Sequence, residues 1–324
     1  MRSDKALILA AKEFAKEDKV KSWYYTLSTL LILVALFTAT LLHINLFVKT
    51  ICSILTGLVM VRMFIIYHDF QHRTILQKSV PAKVIMWIFG VFVLTPPSIW
   101  KRSHDYHHKH NSKIYTASIG SFPISTKEKF LNATPRERFF YLFVRNPLTI
   151  LFGYIFMFMI GMCLNPFLAH PKRHYDGAIA LVLHAIIITL VFLYGGWMAL
   201  LFTIFIPFFI ATAMGSYLFY AQHNFPGVTF NTDAWNYTEA ALESSSFMKM
   251  GPVGNWFTGN IGYHHIHHLN AHIPFYRLPE AMKKIPEFQH PKTTSLNPVE
   301  VWRCLRLKLW DPDANKMITL KGVG

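Results

Sequence analysis

The chain has 324 residues, of which 52% are hydrophobic and 15% are charged, and 32 Lys and Arg against 17 Asp and Glu give a net charge of +15. Soluble domains carry about 25% charged residues and disordered chains have low hydrophobicity, so the composition argues against both classes. Three scattered cysteines also argue against a disulfide framework or a cysteine-based zinc site. The compositional feature that needs an explanation is the count of 17 histidines.

Apolar stretches long enough to cross a bilayer occur in two groups along the chain. A crossing helix needs about 20 apolar residues. Residues 23–47 and 51–67 are two such stretches with a short connection, which predicts a transmembrane hairpin. Residues 178–220 are long enough for two crossings, with a tight turn at Gly195 and Gly196.

Two further apolar stretches, 84–100 and 148–169, contain prolines and have basic residues at both ends. Because basic residues accumulate on the cytoplasmic side of a membrane, each stretch should enter and leave on that side, as an interfacial or re-entrant helix. The same rule places the turns near Lys49 and Gly195 outside and both termini in the cytoplasm. Four crossings are therefore expected, and six remain an alternative if both stretches span the membrane.

The predicted fold is an all-α integral membrane protein with four transmembrane helices in two hairpins, interfacial or re-entrant helices, and a cytoplasmic cap. Residues 1–22 form a cytoplasmic leader, which is either an amphipathic helix on the membrane surface or a solvated segment. Residues 23–269 form the membrane domain and 270–324 a cytoplasmic C-terminal segment, in which 297–310 is expected to be a basic helix. That helix is expected to face anionic lipid, an acidic electron donor, or solvent.

Histidines cluster at three places, each near the end of an apolar stretch or in the polar segment after it. Residues three and four apart share a helix face, so the spacings bring imidazoles together, and neutral imidazole is the commonest metal ligand. With four crossings all clusters lie on one side of the membrane, whereas six would separate the second cluster from the first. A further histidine, His223, lies at the end of the last apolar stretch. The candidate ligands are His68, His72, His104, His107, His108, His223, His264, His267 and His268.

So many imidazoles predict a centre with two metal ions, since a catalytic zinc site uses about three protein ligands. Imidazole binds zinc, copper, iron and nickel, and the spacing does not choose among them. Asp69 and Asp105 each follow the first histidine of a cluster, where a carboxylate could orient the ligand or could lie solvated on the helix surface. The other residues expected to lie around the ligands are His110, His265, Asn260 and Asn224, the two asparagines as holders of a metal-bound water.

The motifs resemble those of the integral-membrane fatty acid desaturase and hydroxylase superfamily, in particular the bacterial acyl-lipid desaturases of the ω-6 or Δ12 type. The resemblance covers about residues 25–310 and is carried by the segments 104–111, 118–124, 220–225, 256–270 and 273–279. It implies two non-haem irons held by the nine histidines, and removal of two hydrogens from adjacent acyl carbons with O2. Asp69, Phe70, Asp105 and Tyr106 depart from the residues common in plant relatives, which leaves the double-bond position open.

The resemblance also implies partners and alternatives. No His-Pro-Gly-Gly haem signature occurs, so electrons are expected from a separate ferredoxin or b-type cytochrome, at a bacterial inner membrane with its active site in the cytoplasm. The basic charge is assigned to lipid and donor contacts, and not to nucleic acid. A related hydroxylase or carotenoid ketolase remains an alternative. A metal transporter would carry ionisable residues along its spans. This alternative is disfavoured because the predicted spans contain almost none, with His184 as the main exception.

Overall fold

The computed structural model describes residues 2–114, 122–230 and 235–322, so residues 118–121 of the 118–124 motif lie outside it. The described chain is mainly helical. The helices are α1 (Asp4–Lys12), α2 (Lys19–Leu41), α3 (Leu46–Gln71), α4 (Val80–Phe92), α5 (Pro97–Lys109), α6 (Lys127–Asn132), α7 (Pro135–Val144), α8 (Pro147–Leu151), α9 (Asn165–Ala169), α10 (Tyr175–Leu200), α11 (Ile206–Ala221), α12 (Tyr237–Glu243), α13 (Gly251–Phe257), α14 (His264–Leu269), α15 (Leu278–Lys284) and α16 (Pro298–Arg306).

Five short strands complete the described chain, and they lie outside the apolar helices. They are β1 (Ser125–Thr126), β2 (Phe247–Lys249), β3 (Thr293–Ser295), β4 (Leu309–Asp311) and β5 (Lys316–Ile318). β4 lies between β1, to which it is parallel, and β5, to which it is antiparallel, while β2 and β3 form a separate parallel pair. The expected helix over 297–310 therefore ends at Arg306, because the following residues pair with β5 as a strand.

Among the described residues, three stretches of helix are long and apolar enough to cross a membrane: α2, α3, and the 47 residues Tyr175–Ala221. The last stretch would be about 70 Å long as one straight helix, more than twice the about 30 Å of a bilayer core. It is interrupted at Gly196, whose φ of 67° and ψ of −168° are not helical. The rings of His184 and Phe208, equally far along the chain from Gly196, lie 4.8 Å apart. The chain therefore folds back at Gly196, as the sequence predicted.

The two ambiguous stretches both return to the side from which they start. α4 and α5 are bent by 90°; the ring of Phe92 reaches within 5.4 Å of Phe208, and α5 then runs back toward the histidines. In the second stretch a π-helical segment, Tyr154–Leu164, joins α8 to α9. Its Tyr154 meets His184 in mid-helix, whereas Cys163 packs at the beginning of α10. These contacts agree with the expected re-entrant helices and four crossings.

The charged side chain of Arg62 is buried within the apolar stretch of α3, contrary to the expectation that His184 is the main ionisable residue of the spans. Arg62 of α3 is 4% exposed, and its Nε donates to Thr29 Oγ1 at 3.2 Å. Its guanidinium lies 4.4 Å from the Trp256 ring centroid and also donates to the Trp256 carbonyl. The positive charge of Arg62 is thus stabilised by aromatic rings and oxygen acceptors, and these contacts connect α3 to α2 and α13.

The N-terminal segment is part of the cap, and neither of the two expectations for residues 1–22 describes its packing. Leu7, Ala11 and Phe14 are buried in one cluster with residues of α14, α15 and their connection. Polar contacts anchor its two ends: Arg2 forms an ion pair of 2.8 Å with Glu287, and Glu17 accepts from the Leu76 amide at 2.8 Å. The same cluster crosses the predicted boundary at residue 270, because Ile273 and Phe288 pack with Ile266.

Candidate metal centre

Four segments bring the nine predicted histidines to one end of the spanning helices. α3 supplies His68 in its last turn and His72 at its C-terminal cap. α5 and α14 carry the two His-x-x-His-His motifs, and His223 follows the end of α11. The four-crossing arrangement is what allows this, since it puts the ends of all four segments on the same side.

The imidazoles form two separate groups, in each of which the facing nitrogens lie within 4.8 Å of one another. Nε2 atoms approach to 3.0 Å between His68 and His104 and to 2.9 Å between His223 and His264. Two nitrogens each about 2.1 Å from a metal ion and at right angles around it would be about 3.0 Å apart. The donor set therefore fits two transition-metal ions. The groups are His68, His72, His104, His108 and His267, and His107, His223, His264 and His268.

Each His-x-x-His-His motif is divided between the two groups. In α5 the outer pair, His104 and His108, belongs to the first group and His107 to the second. In α14 the outer pair, His264 and His268, belongs to the second group and His267 to the first. Each helix therefore contributes two histidines to one group and one histidine to the other, and both helices connect the two groups. The helical spacing alone had predicted that all three imidazoles of a motif share one face.

Burial keeps the imidazoles of His223, His264, His267 and His268 neutral, which is the form that binds metal. The pKa values of His264, His267 and His268 lie well below the ordinary value, first because burial disfavours the cation and then because other imidazoles are close. Burial also lowers the pKa of His223 to about 4. In a pair of facing Nε2 atoms at most one needs to carry a hydrogen, so the converging lone pairs favour a bound cation.

Asp69 and Asp105 hold equivalent places in their motifs but have different partners. Asp69 is buried, and its two oxygens lie 3.1 Å from His68 Nδ1 and 2.7 Å from the Phe275 amide, from which it accepts a hydrogen bond. Asp105 is partly exposed and pairs with Lys101 at 2.7 Å. Asp69 thus occupies the place of a carboxylate that orients a ligand, whereas the contact of Asp105 agrees with the surface alternative.

The other residues expected around the ligands point away from the two groups. His110 stacks on the ring of Tyr106 at 3.8 Å, and His265 Nε2 lies 3.3 Å from the carbonyl oxygen of Phe288. Asn260 donates to the Phe275 carbonyl at 3.1 Å, and Asn224 donates to the Cys304 carbonyl at 2.8 Å. The side-chain amides of both asparagines are therefore committed to backbone carbonyls, which does not fit the expected role of holding a metal-bound water.

Two contacts of the predicted ligands have no signal in the sequence. The carbonyl oxygen of Ser244 lies 3.0 Å from His223 Nδ1 and would accept its hydrogen. The ring of Trp100 stacks on His104 with centroids 4.5 Å apart. A backbone carbonyl such as that of Ser244 can belong to any residue type, so the sequence does not indicate it. Trp100 lies one helical turn before His104, but a tryptophan at that position is equally typical of a membrane interface.

A cavity of about 360 Å³ reaches the histidines from the apolar region and is lined by His68, His104 and His264 at that end. Ligand cavities commonly measure about 300–1,000 Å³. Its aromatic walls are Phe64, Trp100, Phe122, Phe158, Phe208 and Phe219. The sequence had suggested the aromatic residues before the third cluster, and none of Trp235, Tyr237, Phe247, Trp256, Phe257 and Tyr263 lines this cavity.

The geometry is that of a membrane protein with a histidine-rich site next to an apolar cavity, and comparison with known proteins assigns the family. Residues 44–298 match the fatty acid desaturase family, and the chain belongs to this family. A fatty acid desaturase of Bacillus subtilis is 32% identical over 267 residues, covering 81% of this chain and 74% of that protein. The protein is therefore an oxidoreductase of the desaturase class.

More distant relatives carry more specific names. An sn-1 oleoyl-lipid 12-desaturase of Anabaena variabilis is 25% identical over 280 residues, covering 85% of this chain and 79% of that protein. A Delta(12) fatty acid desaturase of Mortierella isabellina is 24% identical over 290 residues, covering 78% and 72%. These names describe the relatives, and their similarity to this chain establishes the shared family.

Proposed function

We propose that this protein uses O2 at two histidine-bound irons to introduce a double bond into the acyl chain of a membrane lipid. The observation that carries the proposal is the pair of converging imidazole groups at the end of an apolar cavity. The nine histidines of the two groups are the proposed ligands. When bound, the irons would supply the oxidising power needed to remove hydrogen from an unactivated methylene, which amino-acid side chains lack.

The chain's own residues would hold the ligands and position the substrate. Asp69 accepts the Nδ1 hydrogen of His68 and so directs Nε2 of that ring toward the first group. The Ser244 carbonyl does the same for His223 in the second group. Phe64, Phe122 and Phe219 would pack against the acyl chain and exclude water from the carbons next to the site. Position and dryness are the contributions of a protein to this chemistry.

The Δ12 or ω-6 position is part of the proposal and rests on weaker support. Relatives at 24–25% identity are named as 12-desaturases. Asp69, Phe70, Asp105 and Tyr106 stand where plant relatives commonly have other residues. The product analysis described below therefore includes the position of the new double bond.

The proposed orientation places the histidines and both termini in the cytoplasm of a bacterial cell. The basic residues of the cap support it, since positive charge accumulates on the cytoplasmic side. A separate electron donor, a ferredoxin or a b-type cytochrome, would bind this side. Arg303 and Arg306 of α16 are exposed there and suit an acidic donor surface.

The test is expression in a host that lacks polyunsaturated lipids, followed by mass spectrometry of its fatty acids. We expect a product two mass units lighter than its precursor; a product 16 units heavier would instead identify a hydroxylase. His267→Ala should abolish the product and lower bound iron. His265→Ala is the matched control, because His265 is buried on the same helix but contacts Phe288. Unchanged lipids with an iron-loaded, well-expressed protein would contradict the proposal.

A further inference from the structure

The cavity that reaches the histidines is exposed along one line between two elements. The partly exposed lining residues of α11 are Ala211, Gly215 and Phe219, which recur every fourth residue and so form one stripe. The facing element is the π-helical segment, whose residues 157–162 line the cavity in part. We call the line between the stripe and residues 157–162 the seam. On the seam, Gly161 is exposed and also lines the cavity.

The two elements are in close contact at Gly153 and are less tightly packed at Gly215 and Gly161. At Gly153 a Cβ atom would lie 2.2 Å from Ser216 Oγ, so the backbones are in close contact there. At Gly215 the nearest atom to an added Cβ is Phe158 Cζ at 3.7 Å. At Gly161 an added Cβ would meet the Phe156 carbonyl of its own segment at 3.2 Å and no described atom of α11. The absence of side chains at Gly161 and Gly215 therefore leaves the seam open.

The surface on either side of the seam is apolar. Phe152, Ile155 and Leu164 are exposed on the re-entrant stretch, and Phe205 is exposed just before α11. Exposed apolar side chains on helices at membrane depth face hydrocarbon. At the other end the cavity is lined by Trp100, His104 and His264, all of them buried. Among the described residues, the cavity thus faces the bilayer along the seam, whereas its histidine end is lined by buried side chains.

We propose that the acyl chain of a membrane lipid slides sideways from the bilayer into the cavity through the seam, with Gly161 and Gly215 as the residues that keep it open. The inference rests on the proposed desaturase function and adds the route by which the substrate arrives. It also specifies the form of the substrate, a lipid that stays in the membrane. An acyl thioester on a water-soluble carrier would have to approach from the histidine end, past the buried side chains that line it.

The test compares the full protein with Gly161→Phe and with Ile155→Phe, whose position is exposed on the same segment but does not line the cavity. Each is placed in vesicles of palmitoyl-oleoyl phosphatidylglycerol with phosphatidylcholine carrying a mid-chain diazirine. After irradiation, mass spectrometry measures labelling of the peptide 208–219. A soluble acyl thioester with the same diazirine is the second probe. Labelling needs no turnover, so its result is independent of the desaturation assay.

We expect the lipid probe to label wild type and Ile155→Phe equally. Labelling of Gly161→Phe should be lower by about tenfold or more, a change typical of altered fit in an apolar pocket. Equal labelling of Gly161→Phe, or labelling by the soluble thioester that the substitution leaves unchanged, would overturn the route. If Gly161→Phe does not retain iron, Gly215→Leu provides the same comparison. Seam-dependent labelling without any desaturated product would refute the proposed function alone, and desaturation with seam-independent labelling would refute the route alone.

Discussion

Asp69 gives the sharpest test of how the first imidazole group is held. If His68 binds a metal through Nε2, its Nδ1 must carry the hydrogen, and Asp69, 3.1 Å away, is the acceptor. In Asp69→Asn the side-chain oxygen can still accept from the Phe275 amide, which now binds Asp69 at 2.7 Å. The new NH2 group then faces the Nδ1 hydrogen of His68, so two donors meet and the ring is no longer held.

Loss of such a carboxylate lowers metal affinity by about 10- to 100-fold, which is about 1.4–2.8 kcal/mol. The assay is an iron titration of the purified protein, together with its thermal unfolding. Asp105→Asn is the matched control: Asp105 has the same place in its motif but pairs with Lys101 at the surface, so its affinity should stay near that of wild type. Equal effects of the two substitutions, or no effect of Asp69→Asn, would refute the reasoning.

Three further predictions concern the cap and the membrane turn. Leu7→Ala should lower the free energy of unfolding by about 2–5 kcal/mol because Leu7 is buried against the cap, while Leu9→Ala, 57% exposed, should be nearly neutral in the same melts. Burial lowers the pKa of His265 to about 4. The metal-free protein should therefore lose stability as the pH falls from about 6.5 toward 4, because over that range only the unfolded chain binds a proton at His265. Denaturant unfolding of His265→Leu should show a weaker pH dependence than wild type, and an unchanged pH dependence would contradict this prediction. Gly196→Ala should cost about 1–3 kcal/mol, since its φ and ψ are accessible essentially only to glycine, and an unchanged melting temperature would argue against the turn.

The membrane arrangement followed from simple sequence rules. The lengths of the apolar stretches predicted two hairpins, and Gly196 lies at the predicted turn. Basic residues at both ends of the stretches 84–100 and 148–169 predicted re-entrant helices, and the contacts of Phe92 and Tyr154 agree. These rules succeed because the bilayer acts on each segment separately, through its own hydrophobicity and flanking charge.

The positions of individual side chains depended on contacts that the sequence does not contain. The place in the motif is the same for Asp69 and Asp105, but Asp69 is buried beneath the Phe275 backbone whereas Asp105 pairs with Lys101 at the surface. The burial of Arg62 depends on Thr29 and Trp256, which lie on other helices and far from it in sequence. The N-terminal helix was assigned to lipid or solvent, since nothing local shows that Leu7 has an apolar surface to cover.

The histidine spacing singled out eight candidate ligands, the end of the last apolar stretch added His223, and their number predicted more than one metal. Spacing could not show that His107 lies in a different group from His104 and His108, or that His267 lies in a different group from His264 and His268. Spacing determines which residues share a helix face, because that depends on the local geometry of one helix. The division into two groups depends on how α5 and α14 cross beside the ends of α3 and α11, and that crossing is set by packing between distant segments.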